Sequence, residues 1–181
     1  MANTSTDVIR RYLAEAIRVE KEAESRLRTL AEQGDDAEVQ AFFRLDADET
    51  SARHRRLSDR LAALGESPSP VKDFFQELFA SAPKMQPDDS DGQSVVNNLI
   101  LAFSIEKSKC AMYEALANVA VAASDPETEA LARAIQAQAN AAADKLWRFL
   151  PSRSKIAFNL STAGEIDPAI ETKAPDDRII G

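Results

Sequence analysis

A single cysteine, a single histidine and only five glycines in 181 residues remove several classes of protein at once. Cys110 alone cannot build an intramolecular disulfide framework. No Gly-x-Gly or Gly-Lys-Ser/Thr loop is present to cradle a phosphate, and no Gly-x-Ser-x-Gly turn to present a nucleophilic serine. No apolar run approaches the roughly 18 residues of a membrane span. The opening residues, Met1 to Asp7, carry neither a basic region nor an apolar one, so the cytoplasm is the expected compartment. Acidic residues outnumber basic ones, 30 Asp and Glu to 22 Lys and Arg. A net charge of −8 argues against nucleic acid and against an anionic membrane surface, because both need a basic face.

What remains is a helical composition: 44% hydrophobic and 29% charged residues, with little glycine. Caps and periodicity divide the chain into four long segments. The first follows Ser5-Thr6-Asp7 and runs to about Gln33, with Gly34 ending it. Ile9, Leu13, Ala16, Ala23, Leu27 and Leu30 form its apolar face. The second begins near Asp35-Asp36, presents Val39, Phe43, Ala47, Leu57, Leu61 and Leu64, and stops at Gly65. A third starts after Asp91-Gly92, with Val95, Leu99, Ala102, Cys110, Tyr113 and Ala117 facing inward. The fourth opens at Asp125-Pro126, an N-cap followed by proline at the first helical position, and is expected to end at Pro151. Its inward residues are Leu131, Ile135, Leu146 and Phe149, and Trp147 is expected in the core as well.

Short connections after the first and third helices make two antiparallel hairpins. Between the hairpins lies a long link, Glu66 to Gly92, with four prolines, an acidic run from Asp88 to Asp91 and one short amphipathic helix from Val71 to Ala80. That helix carries Phe74, Phe75, Leu78 and Phe79. A crossover of this length is the connectivity of ferritin-like bundles rather than of a simple up-down-up-down bundle. The expected architecture is therefore all-α: a four-helix bundle over residues 1–151, including a crossover at 66–92, and an extended tail over 152–181. Ile156, Phe158, Leu160, Ile166, Ile170, Ile179 and Ile180 suggest that the tail packs on its own bundle or on a neighbour.

Two apolar stripes are interrupted by acid. Glu20 lies between Ala16 and Ala23, and Glu106 between Ala102 and Cys110. A carboxylate in such a place costs several kcal/mol unless it is paired, protonated or bound to metal. Residues 19–31, Val-Glu-Lys-Glu-Ala-Glu-Ser-Arg-Leu-Arg-Thr-Leu-Ala, resemble the first helix of rubrerythrins and related ferritin-like proteins. The likeness rests on Glu20, Ala23 and Arg26. Phe42-Phe43 through Ala47-Asp48 to Leu57 is similar to that family's second helix, Glu106 to Tyr113-Glu114 to its third, and Ile135 to Leu146 to its fourth. The resemblance spans about residues 7–150. It implies a di-iron or di-manganese site with Glu20 and Glu106 among its ligands.

The rest of that ligand set is missing. The site takes a Glu from each of two helices and a Glu-x-x-His pair from each of the other two. The pairs would fall on Thr50 and Arg53, and on Ala139 and Ala142. His54 and Glu49 invite an atypical replacement, but five residues turn a helix by about 500°, leaving these side chains roughly 140° apart. The family likeness instead suggests a substitution of charge: Arg53 where a second-helix ligand would stand, and Lys109 where rubrerythrin-like proteins place another glutamate. The expected interior cluster is Glu20, Arg53, Glu106 and Lys109, with Arg53 serving both carboxylates through its planar fork. A shared proton is the other way to neutralise the pair. Cys110 reads as a buried small hydrophobe and Tyr113 as a core aromatic with a satisfied hydroxyl.

The functional expectation is a bundle that has lost di-metal catalysis, needs no cofactor, and works by assembly or partner binding. A homodimer is expected, with the tail as a possible docking segment for a protein partner. The competing reading is a rubrerythrin-like oxidase or peroxidase using iron or manganese at Glu20 and Glu106, assisted by Glu49 and His54.

Overall fold

Four helices, α1 (Ser5–Glu32), α2 (Ala37–Ala63), α3 (Gln93–Ala122) and α4 (Pro126–Thr162), make up the computed structural model, which describes residues 4–33, 35–65 and 92–162. Their starts follow from local chemistry. Thr4 and Asp7 close a reciprocal capping box on α1, and the Asp36 side chain accepts from the backbone N–H groups of Glu38 and Val39. Asp125 accepts from the Thr128 N–H at 3.0 Å ahead of Pro126, as the sequence pattern implied. Gly92 begins α3 with φ +86°, and a Cβ there would meet the Ala157 backbone at 3.1 Å. Glycine is needed at this position for both reasons.

Neighbouring helices are α1 with α2 and α3, and α4 with α3 and α2, so that α2 and α3 occupy a diagonal. Arg10 near the start of α1 donates to the carbonyl oxygen of Leu64 at the end of α2. Gly92, by contrast, shares a groove with Asp35 and Asp36 at the other end. The α2–α3 link therefore joins opposite ends of the bundle, a span of about 40 Å for a helix of α2's length. Its expected short helix, with Phe74, Phe75, Leu78 and Phe79, lies outside the described residues.

The core is divided in two. One apolar cluster gathers Ile9, Leu13, Leu57, Leu116 and Ile135, and the other Leu27, Phe43, Leu99 and Leu146. Full burial of each large aliphatic side chain contributes about 1.5–3 kcal/mol. Between the clusters, at mid-height, lies a layer of charged side chains.

Two expectations are corrected. Helix α4 continues through Pro151 to Thr162, so residues 152–162 are helical rather than extended. An interior proline costs about 3 kcal/mol through its missing N–H and its ring. Here its ring is exposed, and packing on either side of it holds the helix together. The Arg153 guanidinium lies over the Phe149 ring at 4.9 Å and donates to Asp36 at 2.7 Å and Glu38 at 2.5 Å, while Ala157 is buried against Gly92. The rest of the expected tail, 163–181, is outside the described residues. Trp147 is the second correction. It stands 61% exposed, with its ring 5.6 Å from Phe103 on the outer face of α3 and α4, rather than in the core.

Candidate functional site: a buried ionic layer

Each helix pair supplies part of the central layer for a local reason. On α2 the stripe Val39, Phe43, Asp46, Thr50, Arg53 and Leu57 advances by alternating steps of three and four residues, and all six side chains are buried. On α3, Glu106, Lys109 and Tyr113 occupy successive turns of the buried face, and on α1 Glu20 falls opposite them. Helix α4 contributes only small apolar groups, Ala139, Ala142 and Ala143, all buried. Glu20, Asp46, Arg53, Glu106 and Lys109 are each no more than 2% exposed.

Lys109 is the hub. Its Nζ lies 2.7 Å from Glu106 Oε1 and 3.0 Å from Glu20 Oε2, joining α3 to α1. Arg53 reaches Glu106 Oε2 at 3.5 Å through one terminal nitrogen and Asp46 Oδ1 at 3.2 Å through the other, tying α2 to α3. Glu49 Oε2, at the solvent margin, lies 3.4 Å from the same nitrogen as Asp46. Tyr113 completes the chain by donating its hydroxyl hydrogen to Glu20 Oε1 at 2.5 Å. Glu20 Oε2, Asp46 Oδ2, Glu106 Oε2 and Arg53 Nε are buried without a hydrogen-bond partner. Charge attraction, more than aligned hydrogen bonding, holds this half of the layer.

Three buried carboxylates face two buried cations, and the titration of the groups reflects that imbalance. Burial raises Glu106 to about 7 against the opposing pull of Lys109 and Arg53, and it raises Asp46 as well. Burial works to lower the pKa values of Lys109 and Arg53, but the surrounding carboxylates, Glu106 and Glu20 foremost, outweigh it and hold both cations charged. The Tyr113 hydroxyl is pushed far above its ordinary value by burial and then by the neighbouring Glu20 charge, so it stays a donor.

The structure thus brings together Glu20, Arg53, Glu106 and Lys109, and distributes their roles differently from the sequence reading. Lys109, rather than Arg53, spans both glutamates. Asp46 was missed, although its place in the stripe with Thr50 and Arg53 was readable. Glu49 is engaged at the edge by Arg53, and half-buried His54 follows on the neighbouring face. Cys110 is half-buried, with burial raising its thiol pKa. Among the described residues no three His, Cys, Asp or Glu side chains are grouped so as to hold a metal ion. The two glutamates already share an ammonium group, which lies within 3.0 Å of both, and the buried side chains beside them include the Arg53 guanidinium and the Thr50 hydroxyl rather than further carboxylate or imidazole pairs.

A four-helix bundle of two hairpins whose link joins opposite ends of the bundle defines the class: this is a ferritin-like fold. The family described as "Domain of unknown function (DUF892)" matches residues 4–158, and the chain belongs to it. Among solved structures, the stress protein YciF of E. coli superposes with a TM-score of 0.69 at 18% identity, covering 89% of this chain and 99% of that one. A protein from Xanthomonas campestris gives a TM-score of 0.68 at 20% identity, covering 90% and 99%. Dps from Staphylococcus aureus gives 0.63 at 17%, covering 82% and 98%. At these identities the likeness shows the fold alone. No match is found among curated proteins. No helix of the described residues is long and apolar enough to cross a membrane.

Proposed function

We propose that this chain is a rubrerythrin-like bundle in which a lysine has taken the place of the metal charge, and that it acts through assembly and partner binding rather than by di-metal catalysis. The observation that carries this reading is the seat of the Lys109 ammonium between Glu20 and Glu106. A redox metal needs an open coordination position and ligands free to bind it. Here the two carboxylates are already neutralised from inside the core, and the neighbouring positions offer a guanidinium, a hydroxyl and two methyl groups. The ionic layer then serves as an internal register, fixing which faces of α1, α2 and α3 meet.

Function in this reading belongs to the surface. Trp147, Ile156 and Phe158 are each more than half exposed on α4, and Leu160 is 48% exposed. Such residues suit a contact between two copies related by a two-fold axis, the commonest closed symmetry. No nucleic-acid or membrane partner is proposed, in keeping with the acidic net charge, and the cytoplasm is the proposed compartment. Metal titration of the purified chain tests the reading: iron, manganese and zinc should each bind at well under one equivalent, and a stoichiometric site at Glu20 and Glu106 would restore the oxidase reading.

A further inference from the structure

A second feature lies on the outer face of α2 and α4, away from the ionic layer. Glu38, Phe42, Lys145, Arg148, Phe149 and Arg153 line a groove of about 330 Å³. Its floor is aromatic: the Phe42 and Phe149 rings meet edge to face at 5.8 Å. Arg153 is already held by Asp36 and Glu38, but Lys145 and Arg148 make no ion pair among the described residues. Two uncommitted cations beside an aromatic floor are unexpected on a chain with net charge −8. They fit an occupant that is acidic along one side and apolar along the other.

The chain carries such a segment just past the end of α4. In Glu165-Ile166-Asp167-Pro168-Ala169-Ile170-Glu171, the even positions are Ile, Pro and Ile, and three of the four odd positions are acidic. Period-two alternation places the apolar residues on one side of an extended strand and the acids on the other. Pro168 opposes a helical alternative. The tether also has the right length. From Arg148 to Thr162, α4 rises about 21 Å, and the nine residues from Ala163 to Glu171 span up to about 30 Å when extended. A chain reversing at Thr162 can therefore bring Ile170 and Glu171 back to Phe149 and Arg148. Lys155, two turns beyond Arg148, lies along this return path.

We infer that the groove between α2 and α4 is the docking site for the chain's own C-terminal segment, with Ile170 on the Phe42–Phe149 floor, Glu171 toward Arg148 and Lys145, and Glu165 and Asp167 toward Lys155 on the return path. The inference stands apart from the ionic layer and holds whatever that layer binds. Distance measurement between nitroxides on the full chain tests it, with labels at Ala41→Cys beside the groove and Thr172→Cys on the segment, in a Cys110→Ser background. The expected result is a narrow short-distance peak that is unchanged when labelled chain is diluted with unlabelled chain. The exposed pair Lys145→Glu and Arg148→Glu should abolish the peak, and adding Glu171→Lys should restore it. A broad distribution indifferent to these charge reversals would overturn the inference. So would a peak that disappears on dilution, because the occupant would then be the segment of a second copy.

Discussion

Lys109 on α3 and Glu20 on α1 form an ion pair of 3.0 Å in which both side chains are fully buried. No solvent competes for either partner, so the pair is sensitive to the loss of one charge and much less so to the loss of both. Replacing Lys109 by methionine, an unbranched apolar side chain one heavy atom shorter, leaves Glu20 and Glu106 without their shared cation. A loss of about 3–5 kcal/mol is expected. Chemical denaturation of Lys109→Met alone and combined with Glu20→Gln measures it, and the second substitution should recover part of the loss. Equal destabilisation with and without Glu20→Gln would separate the two residues energetically.

Arg53 provides an independent check on α2. It pairs with Asp46 and Glu106 while only 1% exposed. Arg53→Ala strands both acids and should also cost about 3 kcal/mol or more at neutral pH. A melting temperature close to that of the parent chain would show that water or protons replace the guanidinium without penalty.

The pH dependence has an unusual sign. Glu106 rises from 4.5 unfolded to about 7 folded, so the folded state holds a proton that the unfolded state releases. Stability from this group is complete below pH 4.5 and declines as pH rises through 7, by on the order of 3 kcal/mol in total. Asp46, also raised, adds to the decline. Asp36 and Asp125 are lowered by their arginine contacts and act in the opposite sense, losing stability in acid below their ordinary carboxylate range. Urea unfolding from pH 2 to 8 should therefore show an optimum on the acid side of neutrality. In Glu106→Gln the fall between pH 4.5 and 7 should flatten.

Tyr113 and Glu20 give a smaller test. The hydroxyl donates to a charged, buried oxygen, a bond worth about 1.5–3 kcal/mol. Tyr113→Phe should lose that amount without changing helix content, as read by circular dichroism and thermal melting. A neutral substitution would mean that Lys109 alone satisfies Glu20.

Assembly is tested on α4. Light scattering during size exclusion should give a dimer for the parent chain and a monomer when Trp147 and Phe158, 61% and 66% exposed, are both changed to serine. If both chains elute as monomers, the exposed apolar residues serve some contact other than self-association.

The bundle was legible in the sequence because its signals are local and repeated. Asp36, Asp125-Pro126 and Gly65 punctuate the helices, and the buried faces of α1 and α3 follow from three-and-four spacing. Glu20 and Glu106 were legible for the same reason, as acids standing on apolar stripes. The division of labour between Lys109 and Arg53 was not, because it depends on how α1, α2 and α3 are rotated about their axes, which spacing along one helix does not specify. Asp46 was hidden by reading α2 through Ala47 instead of through the neighbouring stripe. Pro151 misled for a different reason. Its local cost is real, but Arg153 offsets it by lying over Phe149 and by pairing with Asp36 and Glu38, which are more than a hundred positions away in sequence. Trp147 shows the reverse limit, since apolar character alone does not say which residues remain at the surface.

The claim that a lysine holds the place of the metal is tested most directly by elemental analysis of untagged protein after incubation with iron(II), manganese(II) and zinc(II) and removal of excess ions. The account predicts well under one equivalent of each per chain, with Lys109 still bridging Glu20 and Glu106 in a crystal grown from the treated protein. One or more equivalents bound, with anomalous density between Glu20 and Glu106 and Lys109 displaced, would contradict it.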